Sequence, residues 1–182
     1  TAAENQTTAA AITATDDDSS NVLAFTLVAT GDYALFDLTT TSTAPAAGAA
    51  TLTFKTAPDY ETPGDAGTDN VYDVTLQISD GAETTTQAIT VTVTNENDPP
   101  VYNDFPGSIT VDEDTAIDFS TASGHLITVA DPDVSDTGTD NIQVTLQVVG
   151  TNGTLTFTDT SNVTISAGAN ASTAISLQGN PQ

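Results

Sequence analysis

The sequence has no cysteine, no tryptophan and no methionine, and Lys55 is its only lysine or arginine. The lack of cysteine excludes both a disulfide framework and a cysteine nucleophile. No stretch approaches the ~20 apolar residues that a membrane-spanning helix requires, so we expect no direct insertion into a membrane. His125 is the only histidine, which leaves no plausible Ser–His–Asp set. The sequence therefore predicts a protein that is not an enzyme.

The charge is one-sided, with 25 acidic residues and a formal net charge of −24. Such a chain repels nucleic acids and anionic membrane surfaces, and it attracts cations. Almost no basic side chain is present to neutralise the acids, so clustered carboxylates repel one another unless a metal ion joins them. We therefore expect bound calcium, in place of a disulfide, to stabilise the fold. A second interpretation of the surplus acid is salt adaptation or solubility.

Apolar and polar residues alternate along short runs that are bounded by turn signals, and no helical period occurs. A period of two in β-branched residues is typical of strands, so the pattern predicts an all-β fold. The Ala/Pro/Gly stretch 44–50 is predicted to be a loop. The predicted strands cover residues 22–28, 35–38, 52–54, 71–78 and 88–94, then 108–111, 142–149 and 174–177.

A polar junction follows the strand that ends at Thr94, with the sequence Asn95-Glu-Asn-Asp98-Pro-Pro100. The two prolines cannot continue a sheet ladder, and a second set of strand patterns follows them. The sequence therefore predicts two domains, residues 1–98 and 99–182. Asp131-Pro-Asp133 repeats the earlier Asp16-Asp-Asp18, which indicates an internal repeat.

Five short motifs occur in a fixed order: Glu4-Asn5, Ala14-Thr-Asp16-Asp-Asp18, Asp59-Tyr-Glu61, Asp80-Gly81 and Asn95-Glu-Asn-Asp98. This order resembles cadherin repeats, in the form found as tandem repeats of large bacterial (RTX-type) surface adhesins. The resemblance implies two tandem cadherin-like, Ig-like Greek-key β-sandwich domains. In the first domain the first strand is expected to be clipped, and in the second the last strands are expected to be missing. The resemblance also implies a secreted, extracellular cell-surface protein of which this chain is a fragment.

The acidic motifs predict calcium ligands, because Ca²⁺ takes 6–8 oxygens from carboxylates, amides and backbone carbonyls. Residues i and i+2 of an extended segment share one side, so Asp59 and Glu61 can converge, as can Asp131 and Asp133. The resemblance assigns a junction calcium set of Glu4, Asp59, Glu61, Asn95, Asn97, Asp98, Asp131 and Asp133. It assigns an N-terminal half-site of Asp16, Asp18 and Asp80.

These features predict a non-catalytic extender, stiffened by calcium at the junction between neighbouring repeats of the same chain. The alternative is a cadherin-like binding module that contacts carbohydrate, another cell-surface protein or another copy of the protein. An exposed aromatic or apolar patch would favour the binding module, whereas uniformly polar, acidic faces favour the extender. Paired carboxylates also occur in glycoside hydrolases, but no aromatic cleft is indicated here.

Overall fold

The computed structural model describes residues 1–17, 21–42, 46–103, 107–134, 142–149, 153–157, 159 and 164–179. Over these residues the fold is all-β, with twelve strands and one short 3-10 turn. No helix within these ranges is long and apolar enough to cross a membrane. The chain divides into two compact units, Thr1–Glu96 and Asn97–Gln182, so the division lies two residues before the predicted boundary after Asp98.

Unit 1 contains two sheets. The first has the strand order β1-β7-β6-β3, in which β1 runs parallel to β7 and the other pairs are antiparallel. The second has the order β2-β5-β4 and is antiparallel throughout. The strands are β1 Ala2–Ala3, β2 Thr8–Thr15, β3 Ala24–Val28, β4 Phe36–Ser42, β5 Ala47–Phe54, β6 Val71–Ser79 and β7 Thr84–Thr94, with the 3-10 turn at Tyr33–Leu35.

The core of unit 1 draws on both sheets. The rings of Phe36, Phe54 and Tyr72 form one group, with centroid separations of 4.4, 6.1 and 5.1 Å. Leu52 is fully buried, and Val91 is almost fully buried in the same cluster. Each fully buried side chain of this kind stabilises the fold by about 1.5–3 kcal/mol relative to its exposed state. The apolar residues of the alternating pattern that predicted these strands are therefore the residues that form the core.

The predicted loop at 44–50 is wrong over its second part, because β5 begins at Ala47. The glycine at position 48 is explained by Phe25 of the facing sheet. A Cβ atom on Gly48 would lie 2.6 Å from Cε2 of Phe25, which is closer than atoms can pack. The ring thus requires a residue without a side chain at this point of the strand. Glycine normally indicates a turn, and here packing against the facing sheet outweighs that tendency.

Two buried aspartates support the loop between β5 and β6. The Oδ1 atom of Asp32 accepts from the Ala66 N–H at 3.0 Å, and its Oδ2 accepts from the Asp73 N–H at 2.9 Å. Asp65 accepts from the N–H groups of Asp69 and Asn70 at 3.2 and 3.1 Å. Burial by itself would raise the pKa of Asp65, but these backbone hydrogen bonds outweigh burial and lower the pKa. The loop is therefore stabilised by two carboxylates that accept hydrogen bonds from backbone N–H groups.

Unit 2 contains a two-stranded sheet, β8-β9, and a three-stranded antiparallel sheet with the order β10-β12-β11. In its described residues Ile175 is the one large hydrophobic side chain that is fully buried, at 1% exposure. The strands are β8 Val101–Asn103, β9 Thr128–Ala130, β10 Ile142–Gln147, β11 Thr164–Gly168 and β12 Ala174–Gly179.

One strand prediction in unit 2 is wrong. Residues 108–111 are not a strand, and the first strand of this unit is Val101–Asn103, directly after the prolines. The short run Ser-Ile-Thr-Val has a strand pattern but pairs with no strand among the described residues, and pattern alone does not supply a partner. The strand predicted at 174–177 is present within β12.

Candidate metal site

Glu4 is the most deeply buried of the predicted ligands, with 2% of its surface exposed. It directly follows β1, whose residues pair with the end of β7, so Glu4 lies beside the last residues of that strand. Its Oε2 atom accepts from the Tyr60 N–H at 2.7 Å, and its Oε1 atom accepts from the Glu96 N–H at 2.8 Å. These bonds offset part of the cost of burying a charge and leave further lone pairs on both oxygens.

Asp59 and Glu61 lie in the segment that follows β5. The Oδ1 atom of Asp59 accepts from the Thr62 N–H at 2.8 Å, which forms a tight turn. Glu61 accepts from Nδ2 of Asn95 at 2.9 Å through its Oε1 atom, and its Oε2 atom is buried from solvent. The segment is therefore anchored to the end of β7 as well as to Glu4.

The structure brings Glu4, Asp59 and Glu61 together, with one oxygen of each lying within 4.8 Å of the others. Two oxygens bound to one Ca²⁺ lie at most about 5 Å apart, twice the ion–oxygen distance of about 2.3–2.6 Å. The spacing of the three carboxylates thus suits ligands of a single ion. It is the one group of three His, Cys, Asp or Glu side chains that lie this close within the part of the chain that the structure describes.

The electrostatics of the cluster also favour a cation. Two carboxylates 4.8 Å apart repel each other by between about 1 kcal/mol in water and about 3.5 kcal/mol at an effective dielectric constant of 20. The amino group of Lys55, the only lysine or arginine in the sequence, donates to the Ala34 carbonyl at 2.7 Å instead. A divalent ion at the cluster would turn this repulsion into attraction.

The four predicted ligands that lie in unit 2 are Asn97, Asp98, Asp131 and Asp133. Within this unit the Asp98 N–H donates to Oδ2 of Asp133 at 2.6 Å, and the Asp133 N–H donates to Oδ1 of Asp131 at 3.2 Å. Asp133 is buried, with 8% of its surface exposed. The Nδ2 atom of Asn97 donates to the Asp98 carbonyl at 3.0 Å. The structure thus brings the Asp-Pro-Asp loop beside the start of unit 2.

The predicted N-terminal half-site is Asp16, Asp18 and Asp80. Asp16 follows β2, and its N–H donates to the Ala46 carbonyl at 3.0 Å. Asp18 lies outside the described residues. The Oδ1 atom of Asp80 accepts from the N–H groups of Glu83 and Ala82 at 2.7 and 2.8 Å, and these bonds lower the pKa of Asp80. Asp80 thus has a turn-forming role, and its role as a metal ligand stays a prediction.

Sequence reasoning missed the residues behind the cluster. Asn70 donates from Nδ2 to the carbonyl of Tyr60, which lies between Asp59 and Glu61 in the chain. Asp65 in turn accepts from the Asn70 N–H. The sequence 63–70 indicates only a polar loop, because Asp, Asn and Gly are common in turns of every kind. No spacing rule connects Asn70 to a segment ten residues earlier.

Comparison with protein-family models, with curated proteins and with solved structures gives no significant match. The likeness to cadherin repeats therefore rests on the five sequence motifs alone.

Proposed function

We propose that the chain is a non-catalytic, calcium-stiffened extender segment of a cell-surface adhesin. In this proposal the two units are tandem cadherin-like β-sandwiches, and calcium is the cofactor. The observation that carries the proposal is the cluster of Glu4, Asp59 and Glu61 within 4.8 Å. Hard oxygen ligands at this spacing are those that Ca²⁺ prefers.

The cluster contacts the last two residues of unit 1, so metal binding there would affect the C-terminal end of the unit. Glu4 holds the N–H of Glu96, the last residue of the unit, and Glu61 holds the side chain of Asn95. An ion bound to the two glutamates would therefore also order the backbone at the end of β7. Binding and ordering free energies are coupled, so calcium would stiffen the segment through which the chain leaves the unit.

The outer surface of the first sheet supports an extender over a binding module. Outward positions of the neighbouring strands β6 and β7 are mostly hydroxyl-bearing, as in the pair Asp73↔Thr90 and in Thr75, Thr86 and Thr92. Asp73 is the only acidic residue on these two strands, and it accepts from the Thr90 hydroxyl at 2.7 Å. Such a face offers no aromatic platform for a sugar and no apolar patch for a protein partner.

The experiment is solution scattering of the whole chain in millimolar calcium and in chelator. We expect a narrower distribution of intramolecular distances in calcium, reversible on chelation. The Asp59→Asn/Glu61→Gln variant should behave in calcium as the wild type does in chelator, while Asp37→Asn, an exposed strand position, should behave as wild type. Profiles that superimpose in the two conditions for the wild type would contradict the extender.

A second candidate function is a binding module in unit 2. The observation that favours it is the exposure of Tyr102, at 73%, and of Phe119, at 47%. Exposed aromatic side chains are common contact residues for sugars and for protein partners. Loss of binding to a glycan array or to a second copy of the chain in Tyr102→Ser would support this function, and no binding by the wild type would remove it.

A further inference from the structure

Asn70 connects the acidic cluster to the loop behind it. Its Nδ2 atom donates to the Tyr60 carbonyl at 2.9 Å, and its own N–H donates to Oδ1 of Asp65 at 3.1 Å. Its carbonyl accepts from the Val93 N–H at 2.9 Å, near the end of β7. The residue is buried, with 8% of its surface exposed.

Two features of Asn70 cost free energy locally. Its Oδ1 atom is buried and has no hydrogen-bond partner among the described residues. A buried polar atom without a partner is unfavourable. Its backbone adopts a φ of 63°, in the left-handed region that glycine occupies at lower cost. A glycine at this position would remove both costs, but it would also remove the hydrogen bond from the Asn70 amide to the Tyr60 carbonyl.

The Asn70 side chain restrains the backbone of Tyr60 through a hydrogen bond to its carbonyl. The Tyr60 N–H is already fixed by Glu4, and Asn70 fixes the carbonyl of the same residue. The peptide groups on both sides of Tyr60 are thereby restrained. The two neighbours of Tyr60 are Asp59 and Glu61, which are the other members of the acidic cluster.

We propose that Asn70 is a positioning residue for the metal site of unit 1. It contacts no ion itself and acts by holding the Asp59–Glu61 segment in the conformation that presents both carboxylates. This inference rests on the proposed calcium site. A segment already ordered before the ion arrives loses less conformational entropy on binding, so the preordered site binds more tightly.

The test is calorimetric titration of calcium into the full chain after chelator treatment, with four proteins. The Asp59→Asn/Glu61→Gln variant defines the heat that comes from sites elsewhere in the chain. Asn70→Gly removes the amide while keeping the left-handed backbone accessible. Thr68→Gly is the matched control, because Thr68 is an exposed residue of the same loop with a φ of 52°.

We expect Asn70→Gly to weaken calcium binding at this site by about tenfold, as changes behind metal ligands commonly do. That factor corresponds to about 1.4 kcal/mol. In chelator, Asn70→Gly should melt close to the wild type, since relief of the two local costs offsets the lost hydrogen bond to the Tyr60 carbonyl. Thr68→Gly should leave the affinity unchanged.

The outcomes separate this inference from the proposed function. If the wild type and the Asp59→Asn/Glu61→Gln variant give the same heats, the calcium site itself is wrong. If the site exists but Asn70→Gly binds as tightly as wild type, only the positioning role is overturned. An Asn70→Gly protein that binds weakly and also melts well below wild type in chelator would show a general structural role and overturn the inference as well.

Discussion

The Oε1 atom of Glu4 accepts a hydrogen bond of 2.8 Å from the backbone N–H of Glu96, a residue 92 positions later in the chain. The other carboxylate oxygen accepts from the Tyr60 N–H at 2.7 Å. One buried side chain therefore connects the start of unit 1, the segment after β5 and the end of β7. The acidic cluster is part of the structure of the unit as well as a candidate metal site.

Glu4→Gln should destabilise unit 1 by about 1–3 kcal/mol in chelator. A glutamine amide has one acceptor oxygen, so one of the two backbone N–H groups would face another donor and lose its hydrogen bond. Urea unfolding in chelator measures the difference. Glu83→Gln removes a carboxylate at an exposed position and is the control, with an expected change within about 0.5 kcal/mol. Equal midpoints for the two variants would show that Glu4 has no structural role.

Chelator should lower the melting temperature of the wild type. At a calcium concentration about 100 times the dissociation constant, binding to the native state adds roughly 2.7 kcal/mol per site. Sodium chloride in chelator should restore only part of the loss, because it screens the repulsion between the carboxylates but supplies no divalent ion to join them. Scanning calorimetry measures the melting temperature in calcium, in chelator, and in chelator with sodium chloride. Identical melting curves in calcium and in chelator would contradict calcium binding to the native state.

The stability of unit 1 should fall at low pH in part through Asp65. Backbone hydrogen bonds lower the folded-state pKa of this carboxyl group from its usual value of 3.8, although burial acts in the opposite direction. Its contribution is therefore complete above about pH 4 and is lost as the pH falls through the lower, folded-state pKa.

Asp65→Asn should accordingly be less stable than wild type at pH 7, by about 1–3 kcal/mol, and the difference should narrow below pH 4. Urea midpoints in chelator at pH 7 and pH 3 give both values. Asp17→Asn, at an exposed position, is the control and should show no such convergence. A gap that stays constant between the two pH values would contradict the role assigned to the Asp65 carboxylate.

In unit 2, Asp131→Ala should weaken calcium binding while unit 1 stays folded. Asp131 holds the N–H of Asp133, whose carboxylate in turn accepts from the Asp98 N–H, so its loss should loosen the whole predicted ligand group of this unit. Calcium titration with a parallel circular-dichroism melt measures both effects. Asp159→Ala, outside the motif, should bind as wild type. If both variants lost affinity equally, the lower net charge of the chain would explain the loss, and the ligand role of Asp131 would be contradicted.

The sequence allowed the all-β class and the unit 1 cluster to be predicted for different physical reasons. Alternation in β6 follows directly from burial of one face, so Tyr72 and Val74 were identifiable as core positions. Asp59 and Glu61 were identifiable from their i, i+2 spacing. The pairing of Glu4 with them came from the motif order, since spacing cannot reveal a contact across 56 residues.

What the sequence could not reveal depends on contacts between distant segments. Position 48 of strand β5 carries a glycine because the Phe25 ring occupies the space that a side chain would need, whereas the local sequence signals a turn. Asp32, Asp65 and Asn70 look like ordinary turn residues until the fold places their polar atoms in the interior. The partners of their side chains are backbone N–H and carbonyl groups, which leave no signature in the sequence.

The most direct test of the central claim is calorimetric titration of calcium into the full chain after chelator treatment, with the wild type and two double variants. Asp59→Asn/Glu61→Gln removes two carboxylates from the cluster, and Asp37→Asn/Glu83→Gln removes the same number from exposed positions outside it. We predict that the cluster variant loses a saturable component of the binding heat, while the control variant retains it. Equal titrations for the wild type and both variants, or no binding by the wild type, would contradict the calcium site at Glu4, Asp59 and Glu61.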